Sequence, residues 1–165
     1  MENKLSFVEK AGVGLFAGAV GTIVMTLGQR IEMAASGRKP STTPSKAVEK
    51  VSGIDLGEEA ETRASTPIHF AYGTALGAAY AALDGVKEPL RSLGFFAGAY
   101  GGGQLLLTEL GLSKPPSRQE PVELATDVGH HLVYAAATGL AYSALSGWLA
   151  KAKTEDTGFL PVNSD

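Results

Sequence analysis

The sequence predicts an all-α fold: four transmembrane helices arranged as a duplicated two-helix unit with parallel pseudo-two-fold symmetry. Three observations lead there. Residues 11–29, 64–83, 92–108 and 128–150 contain no Asp, Glu, Lys or Arg. A helix rising about 1.5 Å per residue needs roughly 20 such residues to cross a hydrocarbon core. A 15-residue pattern occurs twice, His69–Leu83 as HFAYGTALGAAYAAL and His131–Leu145 as HLVYAAATGLAYSAL, identical at eight positions. A shorter echo joins Gly14–Gly21 (GLFAGAVG) to Gly94–Gly101 (GFFAGAYG), with six of eight positions shared. Repeats of this kind govern architecture before any single element does.

The spans fall at about residues 11–29, 65–83, 92–112 and 128–149, within one membrane domain over residues 1–150. A soluble amphipathic helix would carry charge on its outer face every few positions; these runs carry none. The first run is longer than the apolar core of a signal peptide and reads as an uncleaved anchor. Pro67 sits in the first turn of the second run, where proline is tolerated. Residues 31–64 read as an interfacial loop in which Thr43-Pro44, followed by Val48, Val51 and Ile54, suggests a short amphipathic helix. Gly85 and Pro89 mark a tight turn, Pro115-Pro116 stop the third helix, and residues 151–165 form a polar, flexible tail. Four spans put both termini on the same side, and Lys and Arg are divided too evenly to say which side.

Lipid gives helices no hydrophobic reason to associate, so close backbone approach and hydrogen bonds must do it. Small-xxx-small pairs are present at Gly14/Gly18, Gly73/Gly77, Gly94/Gly98 and Gly98/Gly102. They predict tight packing within the bundle, between copies, or against another subunit.

Superposing the repeats places Gln29 opposite Glu109 and His69 opposite His131, all at helix ends on one membrane face. Asp127 and His130 lie within a turn of His131. Tyr72 follows His69, and Tyr134 follows His131, on the same helical stripe. Ionisable groups at membrane depth are candidates for function. A Glu–His arrangement can respond to proton concentration, and two His with a carboxylate are a ligand set for a divalent metal. The same residues also serve as plain structural hydrogen-bonding groups. No metal or cofactor is required by the sequence. With no cysteine, disulfides and thiolate ligands are excluded. A net charge of −3 without a basic run points away from nucleic acid.

Several short motifs resemble the YagU-type small inner-membrane proteins of bacteria. They are Gly14-Leu15-x-Ala17-Gly18, then His69-x-x-Tyr72 with Tyr80, then Gly94-x-x-Ala97-Gly98-Ala99. Gly111-Leu112-x-x-Pro115-Pro116 and Asp127 before Gly129-His130-x-x-Val133 complete the set. The resemblance covers most of the chain to about residue 150. It implies a four-span protein of the bacterial inner membrane without an agreed activity. The long charged first loop departs from that pattern.

Nothing here reads as an enzyme: GxSxG, HExxH, a phosphate loop and a Rossmann fingerprint are all missing. Packing residues outnumber chemistry-bearing ones. The function expected is a structural or accessory subunit in a larger membrane complex, or a homo-oligomer packed through glycine-rich helices. The alternative is a proton- or ion-handling protein using the polar cluster. The expected partners are other membrane subunits or a second copy, with lipid around them.

Overall fold

The computed structural model describes residues 5–157. Five α-helices are present, α1 (Phe7–Ser36), α2 (Thr43–Ser52), α3 (Glu58–Ala82), α4 (Leu90–Glu109) and α5 (Pro121–Thr157), with a single 3-10 turn at Pro116–Arg118. There is no strand among the described residues.

The helices run past the uncharged stretches that define them. α1 begins where Ser6 and Glu9 form a capping box: the Glu9 N–H donates to Ser6 Oγ at 3.3 Å, and the Ser6 N–H donates to Glu9 Oε2 at 2.7 Å. It ends at Gly37, whose φ of 73° is the left-handed cap that glycine adopts without strain. α3 starts at Glu58, so most of the expected interfacial loop is helical and Pro67 lies well inside a helix. Acids at Glu58, Glu59 and Glu61 suit that start, because they face the positive end of the helix dipole. The tail expected to be flexible from Lys151 continues α5 to Thr157, and the remainder lies outside the described residues.

Two helices are long and apolar enough to cross a bilayer: α1 over Phe7–Ser36, and α5 over Pro121–Glu155. α3 and α4 do not reach that measure. The uncharged stretch of α3 is mostly Ala with Gly and Tyr, and that of α4 is interrupted by five glycines, so removal of charge alone does not make them strongly apolar.

α1 is the centre of the bundle and packs along both α3 and α5; α4 lies on α5 and touches α3 less. The two halves of the repeat therefore do not pack alike. Buried apolar side chains are Val13, Ala17, Met25, Tyr80, Ala81, Phe95, Ala99, Tyr134, Ala135 and Tyr142. Much of the largest apolar material points outward instead. Phe16 is 58% exposed, Leu140 73% and Trp148 64%, with Leu15, Ile23, Val24 and Leu27 on α1 and Leu93, Leu105 and Leu106 on α4 also exposed. These exposed apolar side chains are spread over α1, α4 and α5.

The glycines divide sharply. A methyl group at Gly18 would stand 2.7 Å from the Gly73 carbonyl oxygen and 2.8 Å from Gly77 Cα, and one at Gly14 would stand 2.8 Å from Ala81 Cβ. α1 and α3 thus touch backbone to backbone. The structure leaves Gly94, Gly98 and Gly102 outside the interfaces within the chain, since a Cβ at any of them meets nothing within 4 Å.

Candidate functional site

Helix register brings the polar residues into two groups at opposite ends of the bundle. On the α2 side, the Asp127 carboxylate joins α4 to α5. Gln104 Nε2 donates to Asp127 Oδ2 at 2.6 Å, and Gln119 Nε2 donates to Gln104 Oε1 at 3.0 Å and to the Lys114 carbonyl at 2.8 Å. His131 Nδ1 lies 2.8 Å from the Asp127 carbonyl oxygen and 3.3 Å from Asp127 Oδ1. The Tyr100 ring stands over His131, centroids 5.1 Å apart. Deeper in, Tyr134 Oη donates to the Gly73 carbonyl at 2.7 Å, which ties α5 to α3.

The residues singled out from sequence separate accordingly. Asp127 and His131 are in contact. His69 lies in the bundle near the level of His131 with its Nε2 buried and unpartnered, and Tyr134 is buried one turn below. His130 is half-buried beside Gly28, and Gln29 is half-buried on α1. Tyr72 is 49% exposed. Glu109 faces outward at the end of α4, and no hydrogen bond or ion pair among the described residues links it to Gln29 or to either histidine. Gln104, about one and a half turns earlier on α4, provides the contact from that helix to Asp127. Among the described residues no three His, Asp or Glu side chains come together to hold a metal ion.

The second group, at the end where α1 begins and α5 ends, was not legible in the sequence. Arg91 is only 7% exposed. Its guanidinium sits between two aromatic rings, 4.4 Å from the centroid of Tyr80 and 4.3 Å from that of Tyr142. Nη2 donates to the Tyr80 carbonyl at 2.9 Å, and Nη1 is 3.7 Å from Asp84 Oδ1. Lys10 Nζ reaches the other Asp84 oxygen at 2.6 Å, bringing α1 into the group. Tyr80 Oη donates to Glu88 and lies 3.2 Å from Ser92 Oγ, while the Ser92 N–H donates to Glu88 Oε2 at 3.3 Å. Burial opposes ionisation of Glu88, but the bonds from Tyr80 and Ser92 and the Arg91 charge outweigh it, and its carboxyl is held below the usual range.

The arrangement buries a cation by giving it aromatic faces, a carbonyl and a carboxylate together. Tyr80 and Tyr142 are equivalent positions of the repeat, which was the one available signal. Nothing in the spacing showed that Arg91 would enter between them.

At the outer edge of the same end, the Glu9 carboxyl is lowered to about 2, first by the hydrogen bond from Lys153 (2.7 Å) and then by Ser6. This joins the start of α1 to the end of α5.

Comparison with protein families, with characterised proteins and with solved structures finds no match to this chain.

Proposed function

We propose that this chain is an integral membrane protein of the bacterial inner membrane. In this reading four helices cross the bilayer, both termini lie on one side, and the chain serves as a structural or accessory subunit or a homo-oligomer. The observation that carries it is the outward-facing apolar cover on α1, α4 and α5 around a small core made mostly of Ala and Tyr. Water would penalise that surface, whereas lipid does not. The lengths of α1 and α5 support the same reading. The short uncharged stretches of α3 and α4 cross as parts of the bundle, held by backbone contact and polar pairs. The resemblance to YagU-type proteins agrees with this architecture. The open glycine face of α4 supports association with another helix, because its counterpart on α1 is where α3 docks.

Extraction tests the reading directly. Membranes from cells expressing the chain are washed with alkaline carbonate, and the pellet is then dissolved in mild detergent. Retention in the pellet, followed by isolation of a fixed oligomer or partner set, is the expected result. Release into the aqueous wash would end it.

A second reading, proton or ion handling, is favoured by Asp127 bridging Gln104 and His131 at the α2 face. Asp127→Asn and His131→Ala then abolish a pH-dependent flux in proteoliposomes while leaving assembly intact. Loss of assembly without any flux in the parent protein favours the scaffold.

A further inference from the structure

Among the described residues, five buried side-chain atoms have no hydrogen-bond partner: Thr26 Oγ1, His69 Nε2, Tyr100 Oη, Thr108 Oγ1 and Thr138 Oγ1. Buried polar groups are almost always satisfied, by protein or by ordered water. Three of the five fall on one level of the bundle.

The register shows this helix by helix. Gly14 faces Gly77 and Ala81, Gly18 faces Gly73 and Gly77, and Gly73 faces Thr22. The next turn of this antiparallel pair sets Thr26 against His69. On the other side of the bundle, the Tyr100 ring lies tilted against His131, centroids 5.1 Å apart, and Gln104 bonds Asp127. Tyr134 bonds Gly73 and Tyr80 lies against Tyr142, rings 5.4 Å apart, so α3 and α5 run in parallel with His69 near the level of His131. One polar side chain from each of α1, α3, α4 and α5 therefore lies at about the same level. Three of the four present buried atoms that the protein does not satisfy.

We propose that Thr26, His69, Tyr100 and His131 form a buried hydration site, holding a small cluster of water about one helical turn inside the Asp127–Gln104 pair. The donors and acceptors suit water. The Thr26 and Tyr100 hydroxyls both give and accept, and an imidazole nitrogen takes either role according to its tautomer. The polar side chains of Asp127, Gln104 and Gln119 lead outward from this level to the face that carries α2. Inward, the Tyr134–Gly73 bond and the contact between α1 and α3 close it off. Water at this level gives His69 and His131 a shared medium for proton exchange from one face only. The site rests on the membrane bundle proposed above, and not on transport by it.

The chain has three histidines, which makes the test direct. The full protein, labelled with 15N in histidine, is placed in phosphatidylcholine–phosphatidylglycerol bilayers, and the imidazole signals are assigned with His130→Gln. Magnetisation transfer from water is then measured for each ring. His69 and His131 are expected to receive it, and Thr26→Val is expected to reduce the His69 transfer by about half or more while lowering thermal stability, since a shared water loses a partner. Water transfer to half-buried His130 but none to His69 overturns the proposal. So does a Thr26→Val protein that is more stable with its His69 signal unchanged, because deleting an unsatisfied hydroxyl from a dry site relieves a cost. Recovery of the protein in the aqueous fraction would refute the membrane reading separately. A hydrated His69 without proton flux would remove the transport reading alone.

Discussion

The two halves of the duplicated unit began from nearly the same apolar motif and ended in different surroundings. In the first half, Gly14 and Gly18 of α1 lie against Gly73 and Gly77 of α3, close enough that no side chain fits. In the second, Gly94 and Gly98 of α4 occupy the matching repeat positions and face open space. α1 is held from two sides, by α3 and by α5, whereas α4 rests chiefly on α5. A motif of small residues thus permits close approach but does not bring it about. Which helix arrives depends on the remainder of the chain.

Substitution at matched glycines should separate the halves, and the largest effect is expected in the first. Gly18→Leu drives a side chain into the Gly73 and Gly77 backbone, which cannot retreat without parting the helices. A loss of about 3 kcal/mol or more is expected, read as failure to yield a folded species in detergent. Gly98→Leu is expected to leave thermal unfolding of the isolated chain unchanged and to shift its oligomeric state or partner set. Equal destabilisation by the two would show that α4 packs as α1 does, and would restore the symmetric bundle.

Next in size is Arg91→Ala, which removes the cation between Tyr80 and Tyr142 and strands Asp84 with Lys10 alone. A loss of about 2 kcal/mol is expected from the aromatic contacts and hydrogen bonds together. Arg91→Lys should recover only part of it, since an ammonium cannot stack flat between two rings. Full rescue by lysine would mean that charge, not the planar guanidinium, holds this end of the bundle.

The smallest effect is that of pH at the chain ends. The Glu9 carboxyl is lowered to about 2 in the folded protein, against about 4.3 for an unperturbed glutamate. A depressed carboxyl contributes stability above the unfolded value, and that contribution fades as pH falls through the folded one. The parent protein and Glu9→Gln should therefore differ in thermal midpoint at pH 7 and converge between about pH 5 and pH 2. Glu88, also held low, acts with the same sign, so the parent should lose further stability in acid that Glu9→Gln does not remove. A constant difference down to pH 2 would discard the Glu9–Lys153 link as a stabilising contact. The pair is exposed to solvent, which keeps its effect small.

Parts of the site were open to sequence reasoning and parts were not. Asp127 and His131 are four apart on one helix, so their contact follows from helical period alone. The level shared by His69 and His131 follows from the offset of 62 between repeats, because α3 and α5 run in parallel. Glu109 is exposed at the end of α4. Repeat alignment pairs it with Gln29, but the matched glycines of α1 and α4 face different surroundings, and on α4 it is Gln104 that reaches Asp127. The helices run past the uncharged stretches, because charge bounds an apolar run and not a helix. Glu32 and Arg38 bond to each other near the end of α1, and Glu58, Glu59 and Arg63 extend α3 outward. Charged residues outside a bilayer continue a helix as readily as apolar ones do.

By itself, the sequence determined that the chain is helical, that two of its motifs recur, and which stretches carry no charge. These follow from local period and composition, which every residue carries wherever its neighbours sit. Only the tertiary structure decided which glycines are pressed together, that Arg91 enters between two tyrosines, and which polar atoms lie unsatisfied at a common level. Those outcomes depend on the rotation and stagger of one helix against another. A shift of a single residue turns a side chain by about 100° about the helix axis, and no pattern confined to one strand of sequence records it.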